Sequence, residues 1–152
     1  METRNDLNEE TIEKLQRLIQ ANLDSYQGYK DAAEDVRNAR LRQLFSELSM
    51  SRSRQAASLQ TYVSWNGEEP EDDGTVRGSL HRAWLNFRAA LNGGDEEVVL
   101  IEATRGEEHI KELYEDVLKA IPGNALSDVL HEQYNSVMQD YKRLEALKEA
   151  YN

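Results

Sequence analysis

The sequence predicts an all-α protein, a four-helix bundle with a short extra helix in the long crossover between the second and third long helices. Three observations carry this. Four segments of bundle length keep apolar residues at alternating steps of three and four, the rhythm of a helix with one buried face. The breaks between segments fall at Asn38, Pro70, Gly93 and Pro122, residue types that punctuate helices. Charged residues make up 31% of the chain and β-branched residues are too few to supply a sheet. The 152 residues suit a single domain spanning 1–152.

The first helix opens at Leu7-Asn8-Glu9-Glu10-Thr11-Ile12. Asn8 can cap it, Glu9 and Glu10 suit its positive end, and Leu7 and Ile12 stand at staple spacing. Its inward positions read Ile12, Leu15, Ile19, Asn22, Tyr26, Tyr29, Ala33 and Val36, so the centre is polar and aromatic where a purely structural helix would carry Leu. Gly28, in mid-helix, signals a close neighbour. After Asn38 a second helix places Leu41, Leu44, Phe45, Leu48, Arg52, Gln55, Leu59 and Tyr62 inward. The tight connection makes this pair antiparallel, and positions summing to about 76 lie level. Asn22 and Tyr26 then meet Arg52 and Gln55 in one central layer.

Residues 66–74 are acidic, contain Pro and Gly and lack periodicity, which predicts an exposed loop. A crossover helix follows over 76–91, with Leu80, Trp84, either Phe87 or Leu85, and Leu91 on one side. Loop and helix together can travel the length of the bundle, leaving the second and third long helices parallel. Asp95 caps the third long helix, whose apolar face reads Val99, Ala103, Gly106, Ile110, Leu113 and Val117, with Glu102 and His109 on its border. Pro122-Gly123-Asn124 turns the chain into a last helix with Leu126, Leu130, Gln133, Val137, Tyr141 and Leu144 inward. Levels summing to about 244 place Glu102 near Tyr141 and His109 near Gln133 or Asn135.

Charge and composition exclude several functions. A formal charge of -11 repels a phosphate backbone, so neither nucleic acid nor an anionic membrane is an expected partner. No run approaches the roughly 18 apolar residues of a membrane span. Cysteine is absent, which removes disulfides and thiolate chemistry and fits the cytoplasm. Arg37, Arg40, Arg42, Arg52 and Arg54 spread around their cylinder and predict a solvated face.

Two antiparallel helix pairs joined by a long crossover, with polar residues central in each long helix, is the ferritin-like plan. Working di-metal bundles of that plan take Glu from two helices and Glu-x-x-His from the other two. Here Arg52 and Gln55 stand on the second helix, Gln133 and Tyr141 on the fourth, and none of His81, His109 and His131 follows a Glu by three residues. Asp128 and His131 are the nearest such pair, at a bundle end.

Gly28-Tyr29-Lys30-Asp31-Ala32-Ala33-Glu34, Leu80-His81-Arg82-Ala83-Trp84, Arg105-Gly106-Glu107 and the stretch from Arg143 to Leu147 give the chain a further likeness. It resembles a bacterial domain-of-unknown-function family of ferritin-like four-helix-bundle proteins over nearly its whole length. The resemblance implies the fold and no established reaction. It also implies Glu at the Tyr26 position and His near Gln55 and Tyr141, and this chain departs from that pattern at all three.

The expectation is therefore a non-catalytic bundle that self-associates as a dimer or higher oligomer and binds no cofactor. Its metal centre is replaced by a polar core of Asn22, Tyr26, Arg52, Gln55, Gln133 and Tyr141. A buried guanidinium demands a carboxylate, with Glu102 first and Glu47 or Glu107 next. The alternative is a reduced iron or manganese site on Glu102, Glu107 and His109 with a further carboxylate such as Asp24 or Glu47. A third reading is an adaptor whose acidic loop and aromatic crossover helix bind a protein partner.

Overall fold

The computed structural model describes residues 7–72, 79–121 and 125–151, with the backbone alone at 79–81 and 125. Five helices follow in order: α1 (Glu9–Asp35), α2 (Ala39–Trp65), α3 (Ser79–Gly93), α4 (Glu96–Ala120) and α5 (Ala125–Glu149). No strand occurs among the described residues, and none of their helices is long and apolar enough to cross a membrane.

Side-chain caps set three of the starts. Asn8 accepts from Thr11 N at 2.8 Å, Asn38 from Arg40 N at 2.9 Å, and Asp95 from Glu97 N at 3.0 Å. Each satisfies an amide that the first turn leaves without a helical partner. Gly94, at φ 74, supplies the left-handed residue that lets α3 end and α4 begin within two residues.

The long helices form the bundle. Ser49 Oγ donates to the Tyr26 carbonyl at 3.2 Å, as expected of an antiparallel α1/α2 pair. Tyr29 is level with Glu107 and Asn22 with Tyr114, so α4 runs antiparallel to α1 and parallel to α2. The fifth helix, α3, packs on α1 and α4 and covers the seam between them. Its buried residues are Ala83, Trp84, Phe87, Ala90 and Leu91, and Trp84, Phe87, Tyr29 and Phe45 form one aromatic cluster, with Trp84 edge-on to Tyr29 at 5.0 Å between centroids. The indole lies against two glycines. A Cβ on Gly28 would come 2.9 Å from Trp84 Cε3, and one on Gly106 2.9 Å from Trp84 Cζ2.

The loop after α2 is exposed from Gly67 to Glu69 and at Glu71 and Asp72. Gln16 ties it to α1, donating to the Glu69 carbonyl and accepting from Glu71 N, both at 2.8 Å. The expected helix start at Val76, the loop end at Asp73 and Gly74, the side chains of Leu80 and His81, and the turn Pro122-Gly123-Asn124 lie outside the described residues.

Two buried faces differ in phase from the expected ones. On α4 the buried set includes Leu100, Thr104, Glu107 and Tyr114, while Leu113 and Glu102 are only half-buried. This helix is covered by α1, α3 and α5 together, so its buried arc is wide and extends past the apolar stripe. On α5 the inward residue after Val137 is Asp140 rather than Tyr141.

Candidate functional site

Arg52 lies at the centre of the bundle with its side chain fully buried. One terminal nitrogen, Nη2, donates to Glu107 Oε2 at 2.7 Å and to Asp140 Oδ2 at 3.0 Å. The other, Nη1, donates to Ser51 Oγ at 3.2 Å. Tyr29 completes the layer, its hydroxyl donating to Glu107 Oε1 at 2.6 Å. Helices α1, α2, α4 and α5 thus each send one side chain to a single level. Glu107 is fully buried like Arg52, whereas Asp140 keeps 11% of its side chain exposed and has Arg143 Nη1 3.7 Å from its other oxygen.

Electrostatics hold this layer closed. Burial alone would lower the Arg52 guanidinium, but Glu107, Tyr29 and Asp140 more than offset that and leave it above its ordinary value. Burial pushes the Glu107 carboxyl up, and the Arg52 charge with the Arg52 and Tyr29 hydrogen bonds pulls it back only in part. Tyr29 is raised well above an ordinary phenol, by burial first and then by the Glu107 charge. A charge taken this far from water survives only through such partners.

A second polar layer lies two turns away, since positions 22 and 29, 107 and 114, and 133 and 140 repeat the same faces of α1, α4 and α5. Asn22 Nδ2 donates to Tyr114 Oη at 2.9 Å, and Tyr114 donates to Gln133 Oε1 at 2.7 Å. Gln133 Nε2 reaches the Gln55 carbonyl at 3.4 Å. Burial pushes the Tyr114 phenol up as well. Arg52 Nε, Asn22 Oδ1 and Gln55 Oε1 are buried with no hydrogen-bond partner among the described residues.

The expected residues divide between these layers and the bundle surface. Arg52 sits in the first layer, and Asn22, Gln55 and Gln133 in the second. Tyr26 is half-buried and contributes its carbonyl to Ser49, while Tyr141 is half-buried and donates to Glu145 Oε2 at 3.0 Å, which pushes its phenol up to about 12. The pairing of Arg52 with Glu102 is corrected: Glu102 Oε1 accepts from Arg105 Nη1 at 2.9 Å, one turn along the same helix. Level positions on α4 and α5 sum to 247, as in 107 and 140 or 114 and 133, rather than 244. That shift brings Glu107 to Arg52 and leaves Glu102 nearer the α4 start. Tyr29, Tyr114 and Asp140 complete the network, and only Tyr29 stood on an expected inward face.

Glu102, Glu107 and His109 do not converge. Glu107 faces the core, His109 is half-buried, and Asp128 and His131 are exposed. Among the described residues no group of three or more His, Cys, Asp or Glu side chains could hold a metal ion. Glu107 and Asp140 do converge, and the group they converge on is the Arg52 guanidinium. As donors and acceptors, the layer can bind a cation or move a proton between Tyr29 and Glu107.

The family model described as Domain of unknown function (DUF2383) matches residues 10–120, and the chain belongs to that family. The matched segment holds Tyr29, Arg52 and Glu107, whereas Gln133 and Asp140 lie beyond it on α5. No curated protein matches the chain significantly.

Proposed function

We propose that this protein is a non-catalytic ferritin-like bundle of the cytoplasm, folded as one domain, that acts by self-association rather than by chemistry. Its di-metal site is degenerate and its carboxylate layer is closed by an internal cation. The observation that carries the reading is Arg52, fully buried 2.7 Å from Glu107 and 3.0 Å from Asp140. A bundle that gathers carboxylates at its centre needs positive charge there, and metal ions supply it in working members of that plan. A guanidinium supplies it permanently, with fixed geometry and no open coordination position. The Tyr29, Tyr114, Asn22 and Gln133 side chains and the Gln55 carbonyl fit a role in satisfying and orienting this core.

The test is elemental analysis of protein purified without chelator. The expected result is iron and manganese far below one per chain. Stoichiometric metal would overturn the reading in favour of a site built on Glu102, Glu107 and His109. The adaptor reading makes a separate prediction, loss of a protein partner on deleting residues 66–74, and Glu68, Glu69, Glu71, Asp72 and Asp73 give that segment its charge.

A further inference from the structure

We propose that the seam between α2 and α5 is the surface on which a second copy of this chain docks, with α2 of each copy lying over the seam of the other. The inference rests only on the self-association part of the reading above, and gives it a surface.

The two open seams of the bundle are treated differently. The seam between α1 and α4 is covered by α3, with Trp84 set between Gly28 and Gly106. The α2/α5 seam carries two hollows, of about 410 Å3 and 340 Å3. The bond from Arg143 Nη2 to Glu47 Oε2, 3.1 Å long and half-exposed, crosses the seam at the first hollow. The second is lined by small hydroxyl side chains, Ser51, Ser58 and Ser136, where a bundle seam would ordinarily carry large apolar residues.

Formal charge decides which face a second copy can approach. In α2, four Arg against Glu47 give 4 − 1 = +3, and α5 has three cations against five carboxylates, 3 − 5 = −2. The same count gives 3 − 7 = −4 for α1 and 3 − 8 = −5 for α4. On that side α3 adds Arg82 and Arg88 and no carboxylate, so two copies meeting there would bring −9 + 2 = −7 against −7. Through α2 and α5 they bring +1 against +1, with both signs at hand to pair, and the acidic faces turn outward.

The ridge that would enter the seam has a fitting shape. Met50, at 57%, is the most exposed large apolar side chain among the described residues. It projects from the outer face of α2 between Ser46, Ser53 and Ala57, all exposed and small enough to allow a second helix close. Met is a side chain suited to filling an irregular hollow. Arg54 and Glu132 line the second hollow from opposite helices, and neither is in an ion pair among the described residues. In the docked pair, Arg54 of one copy reaches Glu132 of the other. The hollows run from residue 40 to 58 on α2 and from 129 to 147 on α5. At 1.5 Å per residue that is about 27 Å of two helices abreast, or roughly 1,100 Å2 over both copies, enough for a specific dimer.

The experiment is the molar mass of the full chain by light scattering across a dilution series, with far-ultraviolet dichroism confirming that each variant is folded. The wild type is expected at twice the 17.5 kDa chain mass, dissociating on dilution. Met50→Glu should weaken the dimer about tenfold or more. Arg54→Glu and Glu132→Arg should each weaken it, and the two together should recover it. A wild type that stays monomeric overturns the proposal. So does a dimer indifferent to Met50→Glu, or a double swap that recovers nothing; an indifferent dimer would leave self-association standing through another surface.

Discussion

Arg52→Met removes the internal cation and leaves Glu107 facing Tyr29 in a fully buried site. In wild type the charges meet at 2.7 Å with both side chains fully buried, and the second carboxylate, Asp140, is 3.0 Å away. At an effective dielectric of about 20, two unit charges some 4 Å apart attract by about 4 kcal/mol. Breaking one partner of a buried pair costs about 3–5 kcal/mol, because the other charge is stranded. Glu107→Gln is milder, about 2 kcal/mol, since Arg52 keeps Asp140. The double variant strands little: Glu107 is neutral, and Asp140 retains Arg143 at 3.7 Å. It should therefore be more stable than the sum of the single changes implies, by about 3 kcal/mol. The assay is urea unfolding followed by dichroism at neutral pH. Single effects that add within about 0.5 kcal/mol would refute the coupling. Acid supplies a second readout. With Arg52 gone, the burial that pushes Glu107 up is unopposed by the charge. Its folded value then lies above the unfolded 4.5, so the folded chain binds the extra proton, and stability rises as pH falls through the folded value. The Arg52→Met deficit should shrink on mild acidification, and the double variant should show no such recovery.

Gly106→Ala should destabilise by about 1–3 kcal/mol, because its Cβ would stand 2.9 Å from the Trp84 ring. In a Trp84→Ala background the same change should become neutral or stabilising, since the clash is gone and Ala is the better helix former by about 1 kcal/mol; thermal melts of the four proteins check this. Tyr29→Phe should cost about 1.5–3 kcal/mol through the lost bond to Glu107. Tyr29, Tyr114, Tyr134, Tyr141 and Tyr151 are all raised in the folded chain. Their contribution is full below the unfolded value of 10.0 and is lost as pH rises through the folded values, about 12 for Tyr141. Urea midpoints should fall steadily above pH 10.0, less steeply in Tyr29→Phe. Asp95→Ala should cost about 1 kcal/mol through loss of the α4 cap, read in the same unfolding experiment.

The helices and their order were legible because apolar rhythm and punctuation agreed at Asn38, Gly93 and the caps. The phase of the buried faces was less so, for a reason visible in α4. Val99, Ala103, Gly106, Ile110, Leu113 and Val117 keep a three-four rhythm, and so do Leu100, Ala103, Glu107, Ile110, Tyr114 and Val117. The two sets share every other member. Apolar content favours the first, while the second contains the buried Glu107 and Tyr114. The same choice arises between Asp140 and Tyr141 after Val137, where an aromatic reads as the natural core residue. Asp140 is admissible inside only because Arg52 meets it, and that pairing is a property of two distant helices. The available signal was heptad recurrence of polar positions, at 22 and 29, 107 and 114, and 133 and 140. Gly28 did announce a close neighbour, but that one indole meets both it and Gly106 follows only from the placement of α3.

The central claim, that Arg52 occupies the carboxylate layer in place of a metal, is tested most directly by side-chain nuclear magnetic resonance of its guanidinium during titration with Mn(II). The account predicts separate Arg52 Nη protons, protected from exchange with water and correlated with the Glu107 and Asp140 carboxyls. They should stay unbroadened at one equivalent of the paramagnetic ion. Loss of those signals at stoichiometric Mn(II), with matching loss at Glu107, would place a metal in the layer and contradict it.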